Sequence, residues 1–337
     1  MYGSCTGLRW GAAAGVGAVL LLAGCSSPDG GEAGPPAASG AQPPGKGAPY
    51  WVNPEGNAAR QAAAYAKDGA QGDAALIRRI AEQPVAEWLG PDDPRAAARK
   101  LTEAAERAGR EAVLVLYNIP HRDCGQFSKG GAADADAYRT WLDGVADGIG
   151  DRRATVVLEP DAVLHLADGC TPRKYHAERY GLLKDAVDRL KRQPGTRVYV
   201  DAGNAGWQEP DALFEPLRRA GIEAADGFAV NVSNFRTTAE STDFGKRLSA
   251  KVGGKPFVID TSRNGNGPYE RGDPAESWCN PPGRALGEPP TTETGDELVD
   301  AYLWIKRPGE SDGECRGGPK AGDWWPAYAL GLARAKK

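Results

Sequence analysis

Four aspartates in this sequence lie where short apolar runs end: Asp123, Asp161, Asp201 and Asp312. Val156–Leu158 runs directly into Glu159-Pro160-Asp161, and Val198–Val200 ends on Asp201. A short apolar run bounded by turn residues indicates a buried strand, and a carboxylate on the loop after it is placed for chemistry. A lone aspartate there is often only a helix cap or a loop hydrogen-bonder. Four of them favour a site built from acids, and acid pairs cleave glycosidic bonds.

Alternating strand and helix patterns are needed to position these acids. The predicted strands are Tyr50–Val52, Ala112–Tyr117, Thr155–Leu158, Arg197–Val200, Gly227–Val230, Pro256–Ile259 and Tyr302–Ile305. The predicted helices are Ala58–Ala66, Asp73–Glu82, Pro94–Ala108, Ala137–Ile149, Lys174–Arg192, Asp211–Ala220 and Trp324–Ala335. Repeating β-then-α units indicate an α/β fold with parallel strands, either a barrel or a doubly wound sheet.

Polar residues follow nearly every predicted strand, and this favours the barrel. Asn118, Asn231 and Asp260 are examples. In a barrel all of these loops converge on one face, whereas a doubly wound sheet gathers only a few at its switch point. No Gly-x-Gly-x-x-Gly motif follows a strand, so a dinucleotide site has little support.

Composition excludes several classes of function. The chain has 337 residues, 41% of them hydrophobic, and a net charge of −4. That is enough for a sizeable core, and the scattered basic residues do not form a nucleic-acid-binding stripe. We therefore expect no nucleic-acid partner.

The amino terminus has the features of a targeting segment. Arg9 precedes the apolar stretch Gly11–Ala23, which is short for a membrane span but fits a signal-peptide core. This stretch leads into Leu22-Ala23-Gly24-Cys25, which resembles a bacterial lipobox, with Cys25 as the lipidated residue. An ordinary signal peptide or a retained anchor is the alternative, and each predicts export.

The chain is thus divided into three predicted parts. Residues 1–25 are a lipoprotein-type signal peptide, and residues 26–47, rich in Ser, Pro, Gly and Ala, are a flexible tether. Residues 48–337 form the catalytic domain. The membrane is expected as a partner only through the lipid anchor, at the cell surface.

Four cysteines lie in the predicted exported domain, where disulfides persist. Four cysteines permit three pairings. We favour Cys124–Cys170 and Cys279–Cys315, because each would close a loop of about 35–50 residues and hold a loop that carries a catalytic candidate. The three histidines lack ligand spacing and no Cys-x-x-Cys pair is present, so no metal is expected.

Several stretches together resemble glycoside hydrolase family 6. They are Tyr117–Cys124, Val156–Asp161, Tyr199–Gly203, Asp260–Gly265, Glu276–Cys279 and Lys306–Gly313. They occur in the family's order and cover nearly all of residues 49–337. The resemblance implies a distorted, incomplete seven-stranded β/α barrel similar to a TIM barrel, the two disulfides favoured above, an inverting mechanism, a β-1,4-glucan substrate and no cofactor.

The resemblance also implies a role for each aspartate. Asp161 corresponds to the general acid, and Asp123 to the neighbour that tunes this acid and organises water. Asp201 corresponds to a supporting third carboxylate. Asp312 corresponds to the proposed base, although water can relay the proton in this family. Inversion places acid and base about 6.5–9.5 Å apart.

Other positions are similar to the family's sugar-binding residues. Trp88, Trp207 and Trp278 resemble sugar platforms, with core packing as the alternative for each. Tyr117 resembles the aromatic hydroxyl beneath the distorted sugar. Lys306 and Glu310 resemble ligands of glycone hydroxyls.

Two positions depart from the family pattern. His121 stands where many relatives have glycine or a small polar residue, and Asn204 stands where a histidine is common. Neither removes a carboxylate. These departures affect the expected subsite affinity, pH optimum and turnover, but not the reaction type.

The sequence therefore predicts a monomeric endo-β-1,4-glucanase that hydrolyses internal bonds of cellulose or related glucans. Short segments between Trp278 and Asp312 favour an open cleft. A cellobiohydrolase of the same family is the alternative enzyme. A lipoprotein that binds glucans without cutting them is the alternative from another class.

Overall fold

The sheet is a curled layer of seven parallel strands that lie in the same order in space as along the chain. In the computed structural model, which describes residues 49–271 and 276–335, the strands are β1 (Glu87–Leu89), β2 (Ala112–Leu116), β3 (Ala154–Leu158), β4 (Thr196–Asp201), β5 (Gly227–Val230), β6 (Phe257–Asp260) and β7 (Val299–Leu303). An isolated bridge between Val85 and Trp304 brings the two edges of the sheet together. The predicted distorted, seven-stranded β/α barrel is confirmed.

Helices cover the outside of the sheet and connect its strands. They are α1 (Asn57–Lys67), α2 (Gln71–Ala81), α3 (Pro94–Arg107), α4 (Ala135–Ile149), α5 (Leu164–Ala167), α6 (His176–Leu190), α7 (Pro210–Arg219), α8 (Thr238–Lys251) and α9 (Pro326–Arg334). None of these described helices is long and apolar enough to cross a bilayer.

The strands are buried on both faces, because side chains alternate between two cores. In β2, Leu114 and Leu116 pack outward against the helices, whereas Val113 and Val115 pack inside the barrel. Tyr199 of β4 lies in the same inner cluster. The near-continuous apolar runs seen in the sequence follow from this double burial.

Several elements differ from the sequence prediction, among them the short helix α5, which was not predicted. The predicted strand Tyr50–Val52 is wrong, because Tyr50 makes only an isolated bridge to Glu111, and the first strand is Glu87–Leu89. That strand has three residues and a polar first position, so it lacks an apolar run. Helix α8 was also not predicted, although Thr237 and Glu240 form a capping box at its start.

The described chain begins at the amino-terminal end of the barrel. The Glu111 amide donates to the Pro49 carbonyl (2.9 Å), and the Trp51 amide donates to the Glu111 carbonyl (2.8 Å). Tyr50 is fully buried in the inner cluster. Since Glu111 directly precedes β2, this entry point lies opposite the carboxyl ends of the strands. The predicted signal peptide, Cys25 and the tether lie outside the described residues.

Candidate active site

A cleft of about 410 Å³ lies over the carboxyl ends of the strands. Its lining includes most of the predicted site residues: Trp88, Tyr117, Asp123, Asp161, Trp207, Trp278, Lys306 and Asp312. These residues come from six separate regions of the chain. The parallel barrel brings them together because its strand ends share one face.

Asp161 lies in a strained turn after β3. Its φ is 70°, and that of Glu159 is 46°, so both adopt the left-handed region that non-glycine residues avoid. Burial raises the pKa of Asp161 well above its usual range, and the negative charges of Asp201 and Asp123 act in the same direction. The surroundings of Asp161 therefore favour its protonated form, which is the form that a proton donor requires.

Asp201 lies beneath Asp161 and does not line the cleft. It is fully buried at the end of β4, and its Oδ2 accepts the Asp161 amide at 2.8 Å. Burial raises the pKa of Asp201 to about 7, although backbone donors of Asp161 and Gly203 oppose the rise. Asp201 thus holds the Asp161 backbone in place, and its negative charge acts on Asp161 only when Asp201 is ionised.

Asp123 stands in a short turn on the loop after β2. Its Oδ2 accepts the Ser128 amide at 2.5 Å, which closes the loop on itself. Burial raises the pKa of the Asp123 carboxyl, while the Ser128 amide and the Arg122 charge oppose that rise. Its place in the cleft beside Asp161 fits a carboxyl that tunes its neighbour.

Asp312 is surrounded by positive charge. Its Oδ2 accepts from Arg263 Nη1 (2.8 Å) and from the Asn280 amide (3.0 Å), and its Oδ1 lies 3.4 Å from Lys306 Nζ. Burial alone would raise the pKa of Asp312, but the charges of Arg263 and Lys306 outweigh it and hold the pKa below its usual range. Asp312 is therefore ionised.

Tyr117 and Trp88 form one aromatic corner of the cleft. Their rings meet edge to face, with centroids 5.4 Å apart, and the Arg122 guanidinium lies 4.6 Å from the Tyr117 ring centroid. Trp88 Nε1 donates to the Ile305 carbonyl at 2.9 Å, which fixes the indole across the edges of the sheet. Burial and the nearby Asp161 raise the pKa of Tyr117, so its hydroxyl is neutral.

Two further tryptophans lie elsewhere along the cleft. Trp207 Nε1 donates to Asp168 Oδ2 at 3.0 Å. The Trp207 and His165 rings pack edge to face, with their centroids 5.3 Å apart. Trp278 lies 6.3 Å from Phe127, ring centre to ring centre. Both tryptophans line the cleft, which fits the platform interpretation, although Trp207 also packs against the outer core.

Glu310 is separated from the predicted set. Lys306 lines the main cleft, but Glu310 lines a second, smaller cavity beside Arg307. Its Oε1 accepts from Asn57 Nδ2 at 3.1 Å, and its side chain is almost fully buried.

Comparison with known proteins identifies the family. The model of "Glycosyl hydrolases family 6" matches residues 45–336. The chain belongs to glycoside hydrolase family 6.

Two curated relatives illustrate the match. The chain is 42% identical to Endoglucanase 1 of Streptomyces halstedii over 322 residues, which cover 92% of this chain and 96% of that protein. It is 46% identical to Endoglucanase A of Cellulomonas fimi over 266 residues, which cover 78% of this chain. The match spans only 56% of that longer relative. Relatives named as cellobiohydrolases are more distant.

A solved family 6 structure has the same fold. It is an endoglucanase from Mycobacterium tuberculosis in complex with methyl-cellobiosyl-4-deoxy-4-thio-β-D-cellobioside. The TM-score is 0.79 at 44% identity, and the match covers 86% of this chain and 98% of that one.

Both disulfides expected for a family 6 chain are present. Cys124–Cys170 ties the Asp123 loop to the segment after α5, and Cys279–Cys315 ties the Trp278 loop to the Asp312 loop. Cys124 and Cys170 lie close to His165, but their sulfurs are bonded to each other and cannot serve as thiolate ligands for a metal.

The two departures from the family pattern lie in different places. His121 is exposed and stacks on Tyr175 with ring centroids 3.9 Å apart, away from the cleft lining. Asn204 does line the cleft, and its Oδ1 accepts the Gly206 amide at 2.9 Å. Only Asn204 is therefore positioned to meet a ligand in the cleft.

Arg263 contacts the Asp312 carboxylate, and the sequence prediction gave it no role. Its side chain is fully buried, and besides Asp312 it bonds the Ser233 carbonyl at 2.6 Å. A buried guanidinium needs an anion, and Asp312 supplies it. The available signal was an arginine three residues beyond the end of β6, within the stretch Asp260–Gly265 that resembles the family.

Two buried carboxylates were noted at strand ends in the sequence but were given no role. Glu159 accepts the amides of Asn118 and Ile119, each at 2.9 Å, and Asp260 accepts the Lys306 amide, also at 2.9 Å. Both are fully buried at strand ends. They join neighbouring strand-end loops through backbone donors, so a carboxylate at a strand end can position the site without touching substrate.

Proposed function

We propose that this chain is an endo-β-1,4-glucanase that cleaves internal glucosidic bonds with inversion. The observation that carries the proposal is the pair Asp161 and Asp312, which line one cleft with pKa values displaced in opposite directions. A protonated and an ionised carboxyl facing one cleft are what inverting hydrolysis requires.

Asp161 is the proton donor in this proposal. It protonates the glycosidic oxygen as the bond to the anomeric carbon breaks, so the leaving sugar departs as a neutral alcohol. Burial and the charges of Asp201 and Asp123 keep the proton on Asp161 until that moment. The Asp201 carboxylate accepts a hydrogen bond from the strained Asp161 backbone, which keeps the acid oriented toward the glycosidic oxygen.

Asp312 completes the reaction on the other side of the sugar. Water attacks the anomeric carbon and its proton passes to Asp312, either directly or through a second water. Arg263 and Lys306 stabilise the ionised form, so Asp312 is available as an acceptor but is a weak base. After product release, solvent restores the proton on Asp161 and removes the one on Asp312.

The glucan is expected to run along the cleft over the tryptophans. Trp88 and Tyr117 form a platform beside the acid, and Trp207 and Trp278 lie further along. Aromatic faces suit the apolar faces of glucose rings, while Lys306 donates to hydroxyls. The short segment between Trp278 and Asp312 in the sequence favours an open cleft, which would bind chains in their middle, in agreement with relatives named as endoglucanases.

The mode of attack is tested with soluble carboxymethylcellulose. An endoglucanase lowers viscosity much faster than it releases reducing ends. Viscosity that falls only in step with reducing ends would instead indicate a cellobiohydrolase.

The catalytic role is tested with Asp161→Asn. We expect kcat on unactivated glucan to fall by about 10²–10⁴-fold, the usual contribution of a general acid, while oligosaccharide binding measured by calorimetry is kept. Asp211→Asn, an exposed change on α7, is the matched control. A wild-type protein that binds glucan but releases no sugar would support the non-catalytic lipoprotein instead.

We also propose that the chain is exported and tethered by a lipid on Cys25. The two disulfides support an oxidising compartment, and the sequence around Cys25 supports lipidation. Cys25→Ala should release the protein from the membrane fraction in cell fractionation. Equal membrane retention of both forms would contradict the anchor.

A further inference from the structure

A buried arginine on helix α6 contacts the loop that carries Asp123. Arg179 is only 2% exposed, although it carries a charge. Its Nη2 donates to two consecutive carbonyls of this loop, those of Pro120 (3.0 Å) and His121 (2.6 Å). These two residues stand directly before Arg122 and Asp123 in the chain. The guanidinium therefore holds the segment that leads to the carboxyl beside the proposed acid.

The same guanidinium also holds the segment at the other end of a disulfide. Arg179 Nη1 donates to the Thr171 hydroxyl at 2.6 Å. Thr171 follows Cys170, and the disulfide partner of Cys170 is Cys124, which follows Asp123. The disulfide ties these two loops to each other. Arg179 ties both of them to α6, a helix whose apolar side chains lie in the outer core.

The segment that Arg179 holds has a strained backbone. The φ angles of His121 and Asp123 are both 56°, and that of Cys124 is 47°, in the left-handed region that non-glycine residues avoid. Such a backbone persists only where its surroundings fix it. The bond from the Ser128 amide to Asp123 closes the loop on itself but does not join it to a helix. Arg179 supplies that connection at the carbonyl of the first strained residue.

The charge of Arg179 is costly to bury. Unlike Arg263, Arg179 makes its hydrogen bonds to neutral oxygens, and its Nε is buried without a partner among the described residues. Burial lowers the pKa of Arg179, and the negative charge of Glu159 opposes this. An apolar side chain would fill the same space without this cost. Only the fork of a guanidinium, however, can bond two carbonyls and a hydroxyl at once.

We propose that Arg179 is a positioning residue for catalysis, which keeps the Asp123 carboxyl beside Asp161 by anchoring Pro120, His121 and Thr171 to α6. Loss of the guanidinium lets the Asp123 loop move away from the acid without removing any carboxyl from the cleft. The proposal rests on the proposed glucanase function and adds a residue outside the cleft lining to it.

The direction of a pH shift separates this role from a purely electrostatic one. The charged and titratable groups that act on Arg179 or respond to it are Glu159, Tyr117, Glu178 and His165, and the carboxyls that act on Asp161 are Asp201, Asp123 and Asp168. Loss of a cation alone would raise the pKa of nearby carboxyls and move the alkaline limb of activity to higher pH. Displacement of Asp123 would lower the pKa of Asp161 and move that limb to lower pH.

The test measures kcat, KM and the pH–rate profile of Arg179→Met on a soluble glucan. We expect kcat to fall by about 10–100-fold with KM within about twofold of wild type, because the misplaced group acts on the reaction rather than on binding. The alkaline limb of kcat/KM should move to lower pH by on the order of half a unit. In an Asp123→Asn background the same change should have little further effect, since no carboxylate remains there to misplace.

Lys184→Met is the matched control, because it removes an exposed cation paired with Asp188 on the same helix. It should leave kcat and both limbs unchanged. Arg179→Lys is the second variant, since it keeps the charge but cannot reach all three oxygens. Its effects should have the same direction, and it decides the question if Arg179→Met does not melt cooperatively. In both variants the disulfide and the contact of His176 Nε2 with the Thr171 carbonyl (2.8 Å) remain to support the loops.

An alkaline limb that stays in place or moves to higher pH in the folded Arg179 variants would overturn the positioning role. An equal fall of kcat in the Asp123→Asn background would overturn it too, because the effect would then not pass through Asp123. Absence of glucan hydrolysis by wild type would be a different result, which overturns the proposed function and this role with it.

Discussion

Asp161 and Asp312 are the same residue type in opposite electrostatic environments. Asp161 is partly buried among other carboxyls, whereas Asp312 is buried between Arg263 and Lys306. Burial acts in the same direction on both, so the neighbouring charges decide the protonation state. This separation of two like groups is how one site supplies an acid and an acceptor at one pH.

The pH profile should report this arrangement. Activity requires protonated Asp161, so it is lost as the pH rises through the raised pKa of that group. Asp123→Asn removes a negative charge that raises this pKa. We expect the alkaline limb of kcat/KM to move to lower pH, by on the order of one pH unit.

The measurement is a pH–rate profile on a soluble glucan. Asp136→Asn, an exposed change at the start of α4, is the control and should leave both limbs in place. An alkaline limb that stays in place, or moves to higher pH, in Asp123→Asn would contradict the tuning role of Asp123.

Helix α8 packs closely on the sheet through Gly245. A Cβ on Gly245 would meet the Phe257 ring of β6 at 2.3 Å, so this helix packs through a bare backbone position. Gly331 on α9 also interrupts a helix, but a Cβ there would meet nothing within 4 Å. A side chain at position 245 would therefore clash with Phe257, whereas position 331 has room for one.

Alanine at these two positions should have opposite effects. We expect Gly245→Ala to cost about 1–3 kcal/mol of unfolding free energy, because the methyl group overpacks the interface with Phe257. We expect Gly331→Ala to gain about 0.4–1 kcal/mol, because it restricts the unfolded chain without a clash. Urea unfolding measures both, and a Gly245→Ala protein as stable as Gly331→Ala would refute the packing argument.

The strands that the sequence predicted are those with uninterrupted apolar runs. Ala112–Leu116 is buried on both faces, so every residue carries the signal. Glu87–Leu89 is short and begins with a polar residue that bonds Asn53. Its own sequence therefore carries no strand signal, and its place in the sheet depends on pairing with the distant strand β2. Helix α8 begins with a capping box of Thr237 and Glu240, which is a local sequence signal for a helix start.

The site was predictable to the extent that its residues touch the cleft. Asp123, Asp161 and Asp312 follow strands, and the barrel gathers strand ends on one face. The charges that set their protonation come from contacts between distant segments, such as Arg263 with Asp312 at a separation of 49 residues. Side-chain placement of Glu310 likewise depends on packing against α1 and could not be inferred from its motif.

Several acids of the barrel are fully buried at the strand ends. Burial raises the pKa of Glu159 and of Asp201 to about 7 in each case, and raises that of Asp260. Backbone amides donate to all three, which limits the rise. The strand-end face of the barrel is therefore held by groups that are more protonated in the folded than in the unfolded chain.

Folding stability should consequently decline toward alkaline pH. A carboxyl whose pKa is raised on folding contributes stability that is complete below its unfolded pKa, near 4, and is lost as the pH rises through about 7. We expect a higher urea midpoint at pH 5 than at pH 8. Glu159→Gln should reduce the difference between these two midpoints, and a wild-type midpoint that is higher at pH 8 would contradict the expectation.

The entry of the chain beneath the barrel has a practical consequence. Pro49 and Tyr50 meet Glu111 at the amino-terminal end of the strands, and the cleft lies at their carboxyl ends. Coupling the protein to a bead, an electrode or a fused partner through residues ahead of Pro49 would place the support behind the barrel. Long glucans could then pass through the cleft in both directions without meeting the surface that holds the enzyme.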